Sequence, residues 1–251
     1  NKVLNLGGVP PTLGDRLRSV GIPLDSYFGY QTNGLAQESD FTTNAAGQKV
    51  PNFPIFAEDA GRVGPGDLKY RDLNGDGKIT ADLDRTVLGD RFPRYNYSFR
   101  VNAGFKGLDL NVFIQGVGKA NAYLTGPGLH AYNADAAFPQ EIHRDHWTPD
   151  NTDAKYPRFV YKDDRNTRRL ADYWLQDASY LRLKNVQLGY TFPQKWTQKL
   201  RIDQLRIYGS ADNLFTSTNY FYAFDPETVD GRGGFYPQVK TIIFGINLRL
   251  K

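Results

Sequence analysis

Residues 95–116 decide the fold class with the stretch YNYSFRVNAGFKGLDLNVFIQG. In its first half, aromatic or aliphatic residues occupy every second position, and polar or small residues lie between them. A β-strand imposes this period of two. The alternation resumes at Leu108, directly after Lys106-Gly107. The stretch therefore predicts a β-hairpin with a very short turn.

A hairpin with one apolar face and one polar face suits two environments. In a soluble sandwich, the apolar face packs on a second sheet and the polar face meets water. In an outer-membrane barrel, the apolar face meets lipid and the polar face lines a wet lumen. Each predicted strand has about 11 residues, the length that a tilted membrane strand needs. Both interpretations remain open at this point.

Composition narrows the class of protein. The chain has 251 residues, enough for one large β domain or two smaller ones. It has no run of about 18 apolar residues, so membrane-spanning helices are excluded. A barrel with a polar lumen and polar loops is compatible with the mean hydropathy of −0.55. Without cysteine, there is no disulfide framework, no cysteine-based zinc site and no thiol nucleophile.

Charge and the first residue narrow the class further. The formal net charge of +4 is mild, and Lys and Arg are dispersed, which gives nucleic-acid binding little support. Residue 1 is Asn rather than Met, and no signal peptide is present. We therefore expect the chain to be a piece of a longer protein.

Alternating patterns along the chain predict six strands. One of them changes phase at Lys184-Asn185, which predicts a β-bulge. The first segment is short and is interpreted as the tail of a strand. The predicted strands cover residues 2–8, 95–105, 108–117, 180–192, about 205–212 and 239–251.

The connections between the predicted strands alternate strictly between long and short. Short turns lie at 106–107 and 193–200, whereas long inserts cover about 9–92, 119–171 and 214–238. In an antiparallel sheet, this order places every insert at one end of the strands and every short turn at the other. Short periplasmic turns opposite long external loops are typical of bacterial outer-membrane barrels. The pattern favours an all-β, antiparallel transmembrane β-barrel segment with long extracellular loops over a sandwich.

Motifs across nearly the whole chain resemble the C-terminal third of the SusC/RagA-like TonB-dependent transporters of the outer membrane. Their order and spacing suit that family, and together they are specific. They are GDLKY at 66–70, DLNGDGKIT at 72–80, DRTVLG at 84–89, Pro93, WTPDN at 147–151, YLRLKNVQLGY at 180–190, DNL at 212–214, DPE at 225–227 and FGINLRL at 244–250.

The resemblance implies a barrel of about 22 strands with an N-terminal plug, importing nutrients such as glycans or peptides across the bacterial outer membrane. It also implies a SusD-like surface lipoprotein as partner and TonB as energy transducer. Six strands are fewer than the roughly eight of a small closed barrel. Residues 1–251 are therefore expected to be the C-terminal part of the barrel, with the plug and the other strands outside this chain. No enzymatic activity is expected.

The motif at 72–80 also matches the start of an EF-hand-type calcium loop. Leu83 stands where such a loop has a bidentate acid, so a neighbouring acid must close it. The alternative is an acidic turn held by glycine and Asx hydrogen bonds. Calcium, or another hard cation, is the one candidate cofactor. Its candidate ligands are the side chains of Asp72, Asn74 and Asp76, the carbonyl of Lys78, and either Asp82 or Asp84.

Other polar clusters have simpler interpretations. Glu141, His143 and His146 have metal-ligand chemistry, but surface loop residues are the favoured interpretation. Asp225 and Glu227 are two carboxylates such as a glycosidase needs, although acids around a proline more often form a turn. No catalytic constellation is found.

Aromatic residues in the inserts are candidate contacts to a substrate or a partner. Such rings stack on sugars or pack against proteins, but for any single ring the core of the inserts or an outer aromatic girdle is the favoured interpretation. Tyr190, Phe192 and Trp196 lie beside a short turn and are interpreted as the periplasmic girdle. The candidates in the inserts are Tyr123, Tyr132, Trp147, Tyr220 and Tyr222.

Two other classes of protein stay open. A secreted β-sandwich binding module with a calcium loop predicts a soluble monomer, and a carbohydrate-active enzyme predicts turnover dependent on an acid of the DPE motif. The barrel interpretation predicts instead that Ile242, Phe244 and Ile246 face outward. Asn247 and Arg249 are predicted to point into the lumen. A Phe244 ring packed between two sheets would contradict the membrane interpretation.

Overall fold

The structure is a computed structural model, and it describes residues 2–8, 11–125, 139–160, 165–220, 224–228, 236 and 238–250. The described part is an all-β, antiparallel fold, as the sequence predicts. No helix in these ranges is long and apolar enough to cross a membrane. The chain divides into two compact units. The first comprises Asn1–Phe92, Asn121–Gln176 and Val229–Gly234, and the second comprises Pro93–Ala120, Asp177–Thr228 and Phe235–Lys251.

Short strands predominate in the first unit, and long strands form the second. The strands are β1 (Thr12–Leu13), β2 (Arg16–Leu17), β3 (Ser26–Tyr30), β4 (Thr32–Leu35), β5 (Phe41–Thr43), β6 (Lys49–Pro51), β7 (Leu68–Tyr70), β8 (Arg85–Gly89), β9 (Tyr95–Phe105), β10 (Leu108–Gly118), β11 (Asn121–Tyr123), β12 (Leu175–Asp177), β13 (Tyr180–Thr191), β14 (Ile202–Thr218) and β15 (Thr241–Leu250). The α-helices are α1 (Arg165–Arg168) and α2 (Gln194–Thr197), and 3-10 turns cover Glu38–Asp40, Ala57–Asp59, Glu141–Arg144, Asp172–Trp174 and Gln198–Leu200.

Residues 2–8 form no strand, which corrects the predicted count of six. The backbone of Val3 bonds to a nearby loop instead of a sheet ladder. Its N–H donates to the Ile22 carbonyl and its carbonyl accepts from the Gly21 N–H, both at 2.9 Å. The Val3 side chain is buried. Val3 therefore anchors a loop, whereas Leu4 is 81% exposed, and the segment defines no sheet face.

Aromatic rings and one arginine form much of the interior of the first unit. Tyr30, Phe56 and Tyr70 meet edge to face, with ring centroids between 5.0 and 5.5 Å apart. Burial raises the pKa of Tyr70 far above its ordinary value. Arg169 lies over the Phe56 ring at 3.7 Å and donates to the Asp59 carboxylate at 2.6 Å. The inserts thus fold into a compact unit with its own core.

One five-stranded sheet forms the second unit, in the order β15-β14-β13-β10-β9. β9 and β10 make the predicted hairpin, and its turn residues Lys106 and Gly107 both have positive φ, 47° and 88°. This turn geometry matches the twist of the paired strands, and glycine adopts it without a steric cost. The other short turn is helical and contains α2. Both short turns lie where the sequence predicts them.

The predicted bulge in β13 is confirmed. The register against β10 shifts between Phe113 and Ile114, which pair with Asn185 and Leu183, and this leaves Lys184 as the extra residue. A bulge restores the phase of the strand, so apolar side chains before and after it lie on the same face. β14 extends to Thr218, so the third insert begins later than the predicted residue 214.

The apolar face of this sheet is exposed in the structure. Ile242, Phe244 and Ile246 of β15 are 64%, 83% and 70% exposed. The ladder aligns Ile246 with Ile207 of β14, so the apolar side chains of neighbouring strands continue one surface. Phe244 is not packed between two sheets, which removes the observation that the sandwich alternative requires. A large exposed apolar surface marks an interaction site, and lipid is one such environment.

The opposite face of the sheet carries polar side chains that bond to each other across strands. The Arg206 guanidinium of β14 reaches over β13 to the Asp109 carboxylate of β10, with Nη2 to Oδ2 at 2.6 Å. Gly189 of β13 permits this crossing, because a Cβ there would lie only 2.4 Å from the guanidinium. The ion pair therefore ties three strands together on one face.

Candidate ligand-capture surface in the inserts

Residues 72–84, here called the acidic loop, begin with a carboxylate that organises the backbone. Asp72 accepts the N–H groups of Gly75 and Gly77 at 2.7 and 2.8 Å. Both glycines have positive φ, 77° and 79°, and nothing lies within 4 Å of a Cβ built on either. Space is not the constraint at these two positions, since a side chain would fit. Glycine is needed there because other residues rarely adopt this positive φ.

Asp76 continues the same pattern one turn later. Its carboxylate accepts the Asn74 side-chain amide at 3.0 Å and the Lys78 N–H at 2.9 Å. These hydrogen bonds, the Asn74 bond foremost, lower the pKa of Asp76. The three polar side chains that the sequence offers as calcium ligands therefore lie in one short loop and are already hydrogen-bonded within it.

Asp84 closes the acidic loop from its inner side. The residue is fully buried, and its carboxylate accepts the Leu73 N–H at 2.9 Å, the Thr80 N–H at 2.7 Å and the Thr80 hydroxyl at 3.2 Å. Asp82 is exposed. Within the residues that the structure describes, no group of three or more acidic or histidine side chains converges as a metal site. The geometry fits the Asx-turn alternative, and calcium binding stays a prediction.

An open groove of about 780 Å³ lies beside the acidic loop in the first unit. The β5–β6 hairpin, the segment around the 3-10 turn at Ala57–Asp59 and the middle of the acidic loop form its walls. Its volume is within the range of small-ligand sites, which are mostly apolar with a few polar groups. The apolar lining includes Val50, Phe53, Ile55, Val63 and Ile79, and the charged lining residues are Lys49 and Lys78.

Sequence reasoning missed this groove. The signal in the sequence is the stretch KVPNFPIF at 49–56, where apolar residues cluster between prolines. Such a cluster has no period, so it predicts neither a strand face nor a helix face. Only folding brings it to the acidic loop, where the Ile79 N–H donates to the Ile55 carbonyl at 3.3 Å.

Trp147, a candidate contact residue, lies inside the first unit. It is 6% exposed, and its indole N–H donates to the Gln37 side chain at 3.2 Å. The ring covers Gly66, where a Cβ would lie 2.6 Å from the indole. This position corrects the prediction of a ligand contact for Trp147, because a buried ring has no face to offer. The alternative, that insert aromatics form the core, applies here.

The other aromatic candidates are also not presented as exposed rings where the structure describes them. Tyr220 is 4% exposed, which corrects the prediction of a contact for that residue. The Tyr123 hydroxyl donates to the Arg169 carbonyl at 3.4 Å, and burial raises the pKa of Tyr123. Tyr132 and Tyr222 lie outside the described residues.

The two histidines of the second insert that the structure describes, His143 and His146, pack against neighbouring residues and do not form a metal site. His143 is buried, and its Nδ1 accepts the Gln140 N–H at 2.9 Å. The His146 ring stacks on Phe159, with centroids 3.8 Å apart and planes 10° from parallel. Glu141 forms an exposed ion pair with a neighbouring arginine. The interpretation as surface loop residues is therefore wrong for His143, which belongs to the interior.

Asp225 and Glu227 of the DPE motif are bound by cations of β13. The Arg182 guanidinium donates to both Asp225 oxygens at 2.9 and 3.0 Å, and the Lys184 ammonium lies 2.8 Å from Glu227. Burial acts to raise the pKa of Asp225, but hydrogen bonds from the Glu227 N–H and from Arg182 outweigh it and lower that pKa. A carboxylate held ionised in this way is unsuited to general acid catalysis. The geometry supports a loop anchor.

Known proteins match this chain over most of its length, although no family model does. TonB-dependent receptor P3 of Formosa agariphila is 30% identical over 91% of the chain and 22% of the relative. TonB-dependent receptor SusC of Bacteroides thetaiotaomicron is 34% identical over 32% of the chain and 8% of the relative. The chain belongs to the SusC-like TonB-dependent receptors.

Two solved structures support the fold of this SusC-like chain. The RagAB peptide importer in the open-open state matches 98% of the chain and 25% of the neighbour, with a TM-score of 0.67 and 22% identity. The closed-closed state gives a TM-score of 0.65 over 93% of the chain. The chain spans about a fifth of the length of receptor P3. It is an outer-membrane protein, as predicted, and its relatives are receptors rather than enzymes, which confirms the non-enzymatic prediction.

Proposed function

We propose that this chain is the C-terminal barrel portion of a SusC-like, TonB-dependent importer of nutrients. The observation that carries the proposal is the five-stranded antiparallel sheet, whose uncovered apolar face is opposite a face of hydrogen-bonded polar side chains. Lipid on one side and a wet lumen on the other satisfy both faces at once. The outer strands β9 and β15 have free edges in this sheet, and further barrel strands of the same transporter would pair with them.

The inserts supply the capture surface in this proposal. They leave the sheet at one end, the end opposite the two short turns, and they fold into a compact unit with a groove of about 780 Å³. A SusD-like lipoprotein covers this surface, and TonB acts through a part of the transporter outside this chain. The ligand is captured at the inserts and passes through the lumen once the plug is remodelled. The residues of this chain bind the ligand and line the lumen, and they perform no covalent chemistry.

The substrate class is an oligopeptide or a glycan. The likeness to RagAB, described as a peptide transporter, favours testing peptides first. Cells lacking the transporter should lose uptake of one labelled class, and the intact gene should restore it. A change of Val50 to Asp places a charge in the apolar groove and should weaken uptake. Ala46→Asp, at the exposed tip of the same hairpin, is the matched control and should leave uptake unchanged.

Unchanged uptake of both labelled classes after deletion of the gene would refute the import proposal. Equal uptake by the Val50 and Ala46 variants would exclude the groove while leaving import intact. The lipoprotein is tested separately, by limited proteolysis of the transporter with and without it. We expect the partner to protect the insert 119–171 from cleavage, and unchanged cleavage would contradict the partnership.

A further inference from the structure

We propose that the short-turn end of the five-stranded sheet binds anionic phospholipid headgroups through a basic–aromatic patch. The patch is defined as Lys106, Lys195, Trp196, Lys199 and Arg201. The inference rests on the proposed function, because a barrel places its short turns at the periplasmic surface of the membrane. It goes beyond that function in assigning a lipid class to one end of the wall.

The two short turns lie side by side, which brings the patch together. The Thr191 N–H at the end of β13 donates to the Gly107 carbonyl at 2.8 Å. In the same ladder, Tyr190 of β13 pairs with Leu108 of β10. The hairpin turn with Lys106 therefore borders the strand that leads directly into α2. All of these residues belong to the second unit.

The helical turn after β13 exposes apolar side chains. Trp196 of α2 and Leu200 of the 3-10 turn that follows it are 58% and 71% exposed. Thr197 is buried instead, with its hydroxyl donating to the Gln194 carbonyl at 3.2 Å. Water is a poor solvent for this exposed pair. A tryptophan beside a lipid-facing strand is typical of a membrane interface.

The cations of the patch are exposed and have no acidic partners among the described residues. Elsewhere on the same sheet, Arg182 and Arg206 are paired with carboxylates. The segment 192–203 contains one acid, Asp203, which lies 3.4 Å from Arg249 rather than beside a cation of the patch. The patch therefore presents an uncompensated positive charge, and the complementary ligand is anionic.

The position of the rings favours a lipid over a soluble anion or a protein. Tyr190, Phe192 and Trp196 form a row, with successive centroids 5.0 and 6.5 Å apart. Tyr190 is in phase with Leu188 of the apolar face, so the row continues that face to the turn. An occupant that is apolar along the strands and negatively charged at their end has the chemistry of an anionic phospholipid.

The test uses the assembled transporter that contains this chain, purified in detergent and titrated with phosphatidylglycerol or phosphatidylcholine. Native mass spectrometry measures the Kd of the retained lipid. The patch variant combines K195Q, K199Q and R201Q. The matched control, K119Q with K155Q and K240Q, removes three exposed cations from the insert side of the chain. Soluble glycerol phosphate tests whether a free headgroup suffices.

We expect the patch variant to bind phosphatidylglycerol about a hundredfold more weakly, at roughly fivefold for each basic side chain, and the control to stay within about twofold. Each single variant should bind about fivefold more weakly, so the proposal can still be tested if the triple variant fails to assemble. Equal affinity for both lipids, equal losses in variant and control, or displacement of the lipid by glycerol phosphate would overturn the proposal. These lipid affinities are independent of uptake, so failed import and failed lipid binding are separable.

Discussion

The two units of this chain treat the same kinds of side chain in opposite ways. In the first unit, Leu68, Phe56 and Tyr70 are almost completely buried. In the second unit, Phe99 and Phe244 stand on the surface of the sheet. Burial of apolar side chains is the main favourable contribution to folding in water, and the first unit follows that rule. The sheet follows it only if another apolar medium covers it.

This difference in the burial of apolar side chains indicates the solvent to which each unit is adapted. A unit that buries its rings and bonds its loop polar groups internally is adapted to water. A sheet with an uncovered apolar face and a satisfied polar face is adapted to lipid on one side. Membership of the SusC-like receptors and the outer-membrane location agree with this assignment. The same kind of substitution should therefore change the stability of the two units by different amounts.

The largest expected effect comes from a buried charge in the second unit. Asp225→Ala removes the carboxylate that accepts two hydrogen bonds from the buried Arg182 guanidinium and leaves it only Glu227, 3.0 Å away, so the loss should approach the about 3–5 kcal/mol of a fully broken buried pair. Asp203→Ala removes one partner of an exposed pair and should cost less than about 1 kcal/mol. The unfolding of the assembled transporter, followed with denaturant, measures both. Equal small losses would show that Asp225 does not anchor the third insert.

Acid should release the same anchor. The pKa of Asp225 is lowered in the folded state, so its contribution to stability is complete above its unfolded value of about 3.9. That contribution is lost as the pH falls through the lower, folded value. We expect proteolysis of residues 224–228 to increase below about pH 4. Asp225→Asn should remove this dependence, and an acid transition that persists in the variant would assign it to another group.

The next effect tests burial with the same substitution in both units. Leu68→Ala empties a fully buried position and should cost about 2–5 kcal/mol. Leu188→Ala on the exposed face of the sheet should cost less than about 1 kcal/mol in lipid, because lipid tails are as apolar as leucine. Unfolding of the transporter in bilayers measures the two losses. A larger loss for Leu188 would mean that protein, rather than lipid, covers the sheet.

A charge on the apolar face sharpens the assignment of faces. Phe244→Arg should destabilise the barrel by about 2–4 kcal/mol if the residue lies near the middle of the membrane. Asn247→Arg, on the other face of the same strand, is the matched control and should cost less than about 1 kcal/mol, because the arginine opposite it, Arg206, is already paired with Asp109. Assembly into the outer membrane, followed by the heat-induced shift in gel mobility, reports both. A larger loss of assembly for Asn247→Arg than for Phe244→Arg would mean that the face assigned to lipid faces the lumen.

The smallest expected effect is that of calcium on the acidic loop. Asp72, Asn74 and Asp76 offer oxygen ligands, but Asp84 bonds to the backbone and does not complete the set. We therefore expect weak binding, with millimolar calcium slowing proteolysis of residues 72–84. Asp76→Ala should abolish that protection. Identical proteolysis with and without calcium, in both proteins, would show that the loop is a turn only.

Sequence reasoning succeeded where the signal is local and repeats. The 106–107 turn, the bulge at Lys184 and the strands of the large sheet follow from a period of two and from turn chemistry. It failed for residues 2–8, because a segment this short shows no period. It named Trp147 as a candidate contact while favouring the core for insert aromatics, and nothing in WTPDN indicates that the ring covers Gly66. The groove was missed because the stretch 49–56 has no period and meets the acidic loop only after folding.

The sequence by itself therefore determined the class of this protein, its long strands, their two faces and the order of short turns and long inserts. These properties depend on neighbouring residues, whose spacing the backbone geometry converts directly into faces. Only the tertiary structure decided the partners of the isolated polar groups. Arg182 meets Asp225 across 43 residues, and Trp147 meets Gln37 across 110. Contacts over such separations depend on how the inserts fold, and a pattern of adjacent residues carries no record of them.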